Sequence, residues 1–309
     1  FGNTVLQQWR ILMYKILKKK KLAEQIWLMD VEAPRVAAKC LPGEFLIVKI
    51  DRYGERIPLT ICDYDREKGT VLIVFQVVGA SSYRMAELNE GDFFEDVVGP
   101  LGCPSELTKK TPEELRKMNI LFVAGGVGTA PVYPQVKWLK EQGVTADVVQ
   151  GAKNKDLVIL EDEMRAVCGD HLYITTDDGS YGFHGLVTVK VEELVEKEGK
   201  RYDLCVAIGP MIMMKFVAML TEKLGIPTVA SMNPIMVDGT GMCGACRLIV
   251  GDEVKFACVD GPEFDAHKID FDQAMKRARM YASEEGREYL REKEGKTHHG
   301  GCGNCGGQQ

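Results

Sequence analysis

No stretch of the 309-residue chain reaches the roughly 20 consecutive apolar residues that a membrane-spanning helix needs. That absence leaves no helical bilayer anchor to be read from the sequence. Residues 1–12 (FGNTVLQQWRIL) lack the apolar core and small-residue cleavage site of an export signal. They are expected to be an extension ahead of Met13, and a cytoplasmic location is expected. Excess positive charge is also missing. The net charge is −6, which gives no reason to expect nucleic acid. The lysine run 18–21 falls short of an anchored basic cluster and is expected to be a solvated strand end. No internal repeat recurs, so solenoids and propellers drop out. Histidine is scarce, five in all, and His171 and His184 belong to no catalytic constellation.

What is present fits an ordinary globular chain: 45% hydrophobic and 27% charged residues, long enough for two or three compact domains. Ten cysteines are many for a chain without an export signal, and a reducing compartment argues against disulfides. Cys40, Cys62, Cys103, Cys168 and Cys205 stand singly and are expected to be small buried hydrophobes. Cys243, Cys246, Cys258, Cys302 and Cys305 cluster at short intervals, which suggests metal.

Residues 13–110 carry short apolar runs, such as FLIVKI (45–50), VLIVFQVV (71–78) and DFFEDVVGPLG (92–102), separated by glycine and proline turns. That pattern predicts an antiparallel barrel. Residues 111–235 alternate apolar strands with helical stretches, which predicts parallel βαβ units in a doubly wound sheet. Residues 236–270 form a compact module rich in glycine and cysteine. Residues 271–309 comprise a charged helix, exposed or packed on a partner, and the tail GKTHHGGCGNCGGQQ. In that tail His298, His299, Cys302 and Cys305 lie close enough in sequence to bind zinc.

The sharpest pattern is VDGTGMCGACRLIV…FACVDGP. It sets Asp238, Cys243, Cys246 and Cys258 at spacing D-x4-C-x2-C-x11-C. The plant-type [2Fe–2S] pattern is C-x4-C-x2-C…C, with Cys where this chain has Asp238. Gly239, Gly241 and Gly244 permit close backbone approach and positive φ, so that loop amides reach the cluster sulfurs. A structural zinc knuckle is the alternative; zinc ribbons more often show two C-x2-C pairs. A carboxylate is a harder ligand than a thiolate, so Asp238 would alter the potential of any cluster it held.

Three further segments point to nucleotides. GERIPLTICDYD (54–65) places Arg56 before Pro58, Leu59 and Thr60. It resembles the R-x-[YP]-[ST] flavin motif of the ferredoxin–NADP reductase superfamily, in which the arginine meets the flavin diphosphate. Gly79, Ala80, Ser81 and Ser82 precede a short helix and suit either an anion or a simple cap. VVGPLG (97–102) resembles the strand end that closes the superfamily's barrel. ILFVAGGVGTAP places Gly125, Gly126, Gly128 and Thr129 between a strand and a helix, where amides meet a diphosphate. Its G-G-x-G-x-[AT]-P form differs from the dehydrogenase G-x-G-x-x-G. Asp177, Asp178 and Ser180 form a polar turn that either bonds a ribose or is an Asx-turn. Gly209 and Pro210 open a third strand-end loop. Its methionines Met211, Met213 and Met214 belong to the core or to a cofactor wall. Lys153 and Lys155 suit either a 2′-phosphate or solvent.

Together, residues 13–270 resemble the small subunit of the electron-bifurcating NADH-dependent ferredoxin:NADP⁺ oxidoreductases, a family that includes the sulfide dehydrogenase small subunit. The block 230–273 carries most of the likeness. The dihydroorotate dehydrogenase electron-transfer subunits are similar at greater distance and carry Cys at position 238. The resemblance implies a β-barrel flavin domain plus an α/β doubly wound parallel-sheet nucleotide domain, with a small C-terminal iron–sulfur module. It implies FAD, a [2Fe–2S] cluster and NAD(H) here. It also implies a large glutamate-synthase-like partner carrying flavin and [4Fe–4S] clusters, through which ferredoxin is reached indirectly. The competing expectations are a dihydroorotate dehydrogenase electron-transfer subunit and a zinc-stabilised scaffold without catalysis.

Overall fold

The structure is a computed structural model that describes residues 14–294. The amino-terminal extension and the tail with His298, His299, Cys302 and Cys305 lie outside the described residues. Seven strands form the first sheet: β1 (Tyr14–Ala23), β2 (Ile26–Glu32), β3 (Phe45–Lys49), β4 (Arg56–Asp65), β5 (Thr70–Gln76), β6 (Phe93–Phe94) and β7 (Asp96–Leu101). Their order is β6-β1-β2-β5-β4-β3-β7, and every pairing is antiparallel. Register breaks at Ile16/Lys18, Lys21/Ala23, Phe45/Ile47 and Ile61/Asp63 bend the strands. The sheet curls into a near-closed barrel around Ile16, Met29, Leu46, Val48, Ile73 and Phe94. Helices α1 (Pro34–Ala37) and α2 (Ala80–Glu87) lie in its connections.

After α3 (Pro112–Leu115), the second sheet begins with β8 (Ile120–Gly125), β9 (Asp147–Ala152), β10 (Leu172–Thr176), β11 (Phe183–His184), β12 (Leu204–Ile208) and β13 (Thr228–Ser231), all parallel. Helices α4 (Thr129–Glu141) and α5 (Glu161–Cys168) cover one face; α6 (Val187–Glu196) and α7 (Met211–Leu224) cover the other. The central strand shows why. Every residue of β8 is buried. Phe122 and Ala124 pack toward Val132 and Val136, whereas Leu121 and Val123 pack toward Val191 and Val217. A strand buried on both faces needs an unbroken apolar run, which ILFVAG supplies.

The chain then forms a hairpin of β14 (Arg247–Val250) and β15 (Glu253–Phe256) and returns as β16 (Glu263–Asp265), antiparallel to β13. That three-residue strand ties the cysteine-rich segment to the parallel sheet. Cys246, Leu248, Cys258 and Phe264 share one core with Phe45 and Ile47 of the barrel and with α6 and α7. Helix α8 (Phe271–Ala278) buries Phe271 and Ala274. Helix α9 (Ala282–Glu294), for all its charge, packs on α2, with the Tyr83 and Tyr289 rings edge-to-face at 6.0 Å.

Of the five single cysteines, Cys40, Cys62, Cys168 and Cys205 are buried as expected. Burial pushes the Cys40 and Cys205 thiols up to about 12. Cys103 departs from the expectation. It is half-buried, and its thiol donates to the Val259 carbonyl at 3.2 Å, beside the cysteine-rich loop. No helix among the described residues is long and apolar enough to cross a membrane.

Glu263 joins the three parts. Gln135 Nε2 of α4 donates to its carboxylate at 2.8 Å, and Ser105 after the barrel is a second partner. Burial raises its pKa above the ordinary carboxylate range against the pull of both partners. The folded state therefore holds its proton more tightly than the unfolded chain, so stability is full below the ordinary carboxylate pKa and falls as pH rises through the raised value. Glu263→Gln is expected to flatten that dependence. In melting curves the variant should gain on the parent as pH rises above the ordinary carboxylate range; parallel curves would refute the assignment.

Candidate functional site

The parallel sheet runs β11-β10-β9-β8-β12-β13, so strand order reverses between β8 and β12. At such a switch point two loops leave in opposite directions and open a crevice at the carboxyl ends of the strands. Here the loops are Gly125–Gly128 after β8 and Gly209–Pro210 after β12. They touch so closely that side chains are excluded. A Cβ on Gly128 would stand 2.2 Å from the Ile208 carbonyl oxygen, and one on Gly209 would stand 3.0 Å from Gly125 Cα. Glycine here is a packing requirement that leaves bare backbone lining the crevice.

The crevice opens into a cavity of about 2150 Å³ between barrel and sheet. Single small-molecule sites run to roughly 1,000 Å³, so this space suits two dinucleotide-sized ligands. Its barrel wall is Arg56, Pro58, Leu59 and Thr60 of β4, with Gly79, Ala80, Ser81 and Ser82 at the start of α2. Gly79 caps α2, and its N–H and that of Val78 both donate to Ser82 Oγ, at 3.0 and 2.9 Å. The Ser81 hydroxyl donates to Glu55. The sheet wall is Gly125, Gly126, Gly128, Asp177, Gly209 and Pro210.

Three expected residues, Thr129, Asp178 and Ser180, stay out of the cavity. Thr129 is fully buried beneath the glycine turn, its hydroxyl without a partner. Asp178 turns inward on its own loop, accepting the Ser180 N–H at 2.9 Å, which is the Asx-turn alternative. Ser180 in turn accepts the Lys155 amide, and Lys155 Nζ lies over the Tyr181 ring, so of the two lysines only Lys153 lines the cavity. The methionines divide: Met214 is core, and Met213 is wall.

Sequence reasoning missed a third wall, Met232 to Val237, the segment that leads into the cysteine loop. The apolar run MNPIM before Asp238 was its only signal. Ile212, Phe216 and Met219 of α7, and Tyr281, Glu284 and Glu288 beyond α8, complete the mouth.

The cysteine loop continues directly from that third wall. Cys246 and Cys258 are buried with sulfurs 3.2 Å apart, and Cys243 is exposed on the opposite arm. Burial, then the Cys246 sulfur, push the Cys258 thiol up to about 12. Gly239, Gly241 and Gly244 all have positive φ, and the Gly241 amide points at the Cys258 sulfur. The Asp238 carboxylate accepts the Thr240 and Cys243 N–H groups at 2.9 and 2.8 Å, and these bonds hold its pKa below the ordinary range. Among the described residues no three His, Cys, Asp or Glu side chains converge as a single ion requires. Three thiols on the two segments that flank the β14–β15 hairpin, with a loop amide aimed at sulfur, suit an iron–sulfur group better than a lone zinc.

Arg56 is where the expectation of a diphosphate clamp meets a different geometry. Its Nε donates to the Val237 carbonyl at 3.0 Å and its guanidinium to the Asp238 carbonyl at 3.2 Å, with Asp96 3.9 Å away. It grips the cysteine loop.

Comparison with known proteins agrees with this geometry. Residues 233–270 match the model of the iron–sulfur cluster binding domain of dihydroorotate dehydrogenase B. A Clostridium beijerinckii protein, described as an uncharacterized protein in the adh 3′ region, is 60% identical over 96% of this chain and all of its own length. A Thermotoga maritima homolog of the electron transfer subunit of dihydroorotate dehydrogenase B (NAD(+)) is 43% identical, covering 94% of this chain and 96% of that one. The solved structure of the NADH-dependent reduced ferredoxin-NADP oxidoreductase, reported for flavin-based electron bifurcation, superposes with a TM-score of 0.82. It is 42% identical and covers 90% of this chain and 97% of that one.

Gly128→Ala tests the switch-point geometry. Backbone cannot yield as a side chain can, so the variant should lose about 1–3 kcal/mol of stability. Its affinity for NADH should weaken as well. Melting and fluorescence titration measure the two; an alanine that leaves both intact would refute the contact.

Proposed function

The chain belongs to the family of the dihydroorotate dehydrogenase B-type and NADH-dependent ferredoxin-NADP oxidoreductase electron-transfer subunits, and from that premise we propose the division of labour within its site. As an electron-transfer subunit of an NAD(H)-dependent oxidoreductase, it handles hydride at one end and single electrons at the other. In our reading FAD lies along β4, NADH enters at the switch point, and residues 238–258 hold a [2Fe–2S] cluster that serves a larger partner subunit. Residues 13–110, 111–235 and 236–270 are the corresponding functional units.

One observation carries the proposal. Val237 lines the cavity and is followed directly by Asp238, the start of the cysteine-rich segment, and Arg56 of the cavity wall is bonded to the carbonyls of both. The flavin supplies hydride acceptance and the cluster supplies a one-electron relay when they are bound.

The chain's own residues do the rest. The amides of Gly125, Gly126 and Gly128, with Gly209 and Pro210, hold the nicotinamide dinucleotide diphosphate. Pro58, Leu59 and Thr60 flank the flavin ring, and Gly79 to Ser82 present the start of α2 to the flavin diphosphate. Asp177 bonds a ribose. Met213, Phe216 and Met236 keep water from the rings. Cys243, Cys246 and Cys258 ligate the cluster, and Asp238, already ionised, is its fourth ligand. Asp238 in place of Cys favours the bifurcating branch over a subunit that serves dihydroorotate oxidation. A cytoplasmic location accords with reduced thiols.

Protein purified anaerobically should contain flavin and two irons with two acid-labile sulfides per chain. Absence of sulfide would refute the reading. Asp238→Cys should keep the cluster and shift its midpoint potential; loss of cluster from a folded variant would remove Asp238 from the ligand set. NADH should reduce the flavin faster than NADPH, and equal rates would overturn the nucleotide assignment.

A further inference from the structure

Arg56 opens β4, the strand whose next residues Pro58, Leu59 and Thr60 line the cavity. Its side chain leaves that strand and spans two successive carbonyls of the cysteine loop, those of Val237 and Asp238. A guanidinium is a rigid fork, so the two bonds fix both distance and orientation. The other end of the loop is held in the same way, because Arg277 of α8 donates to the Ala245 carbonyl at 3.1 Å. Between them Gly239 rests on Ile47 and Leu101 of the barrel, where a Cβ would stand 2.6 Å from Ile47 Cδ1. Each grip takes a carbonyl, while the Thr240 and Cys243 amides go to the Asp238 carboxylate and the Gly241 amide to the Cys258 sulfur.

Resting on the functional reading above, we propose that Arg56 is a positioning residue for electron exchange between flavin and cluster, locking the cluster loop to the flavin strand. It serves the loop in place of the diphosphate. Two consequences follow from its chemistry. Losing the fork lets the loop drift, and a positional error on the order of 1 Å is enough to cost up to about 100-fold in a step that depends on geometry. Losing the charge removes a fixed cation near the cluster, which shifts the cluster to a more negative potential.

The test uses the full-chain holoprotein with Arg56→Gln, which removes charge and fork, and Arg56→Lys, which keeps the charge and cannot span both carbonyls. FAD content, sulfide content, cluster potential and the stopped-flow rates of flavin and cluster reduction by NADH are measured. The ratio of cluster to flavin reduction rates should fall by at least about tenfold in both variants. The potential should move negative in Arg56→Gln and stay near the parent value in Arg56→Lys. If Arg56→Gln fails to fold, the lysine variant alone decides through the rate ratio. Loss of FAD with the cluster intact would return Arg56 to the diphosphate, and an unchanged ratio would mean that the remaining contacts suffice; either overturns the proposal. Parent protein without sulfide sinks the functional reading itself, whereas a sulfide-containing parent with unaltered variants sinks only the role of Arg56.

Discussion

The contact of Gly239 with the barrel is the constraint on which the cysteine loop depends. Positive φ and the absence of Cβ let this residue lie on Ile47 and Leu101. Its neighbour Asp238 then presents a carbonyl to Arg56 and a carboxylate to the next turn of the loop. A side chain at 239 would press on the tips of Ile47 and Leu101 and strain a backbone held at positive φ. The loop is therefore built as part of the barrel's outer wall, although it lies about 140 residues beyond the end of β7.

Burial reinforces that placement. The same core contains Phe45 and Ile47 from the barrel, Val191 and Val217 from the sheet helices, and Cys246, Leu248 and Phe264 from the last segment. A core shared among three parts makes their relative positions a matter of close packing, which resists sub-ångström drift better than a polar interface would. The short strand β16 adds backbone hydrogen bonds to the parallel sheet, and Glu263 on that strand bonds back to α4. Electron transfer between separately held groups needs such fixed spacing, while nucleotide exchange needs an open mouth. Cys246 and Cys258 are packed into the shared core, whereas Ile212, Phe216 and Tyr281 at the rim of the cavity remain exposed.

The features readable in the sequence were those with local causes. The apolar run ILFVAG followed by Gly-Gly-x-Gly located β8, its turn and α4 because strand burial and diphosphate geometry both act within a dozen residues. The barrel was legible from its alternation of short apolar runs and turns. The missed features depend on partners far along the chain. Three residues, Glu-Phe-Asp, cannot announce a strand whose partner lies about thirty residues earlier. Helix α9 is charged on every side and buries no residue, so its packing on α2 through Tyr289 had no periodic signature. Thr129 illustrates a finer limit. A motif names the residue type, but whether its hydroxyl points to the crevice or beneath the turn is decided by the rotation of the helix start.

Arg56 shows the same limit with functional weight. Within its motif the arginine stands two residues ahead of Pro58, and charge complementarity alone directs it to the nearest anion. A guanidinium also satisfies carbonyl oxygens, however, and two of them point at it from the cysteine loop. In the reading proposed above the flavin diphosphate lies at the start of α2, where a helix terminus serves an anion without a side-chain cation. On that reading the cation is free to join strand to loop, and the geometry of the carbonyl pair, more than the charge of any ligand, accounts for the position it takes.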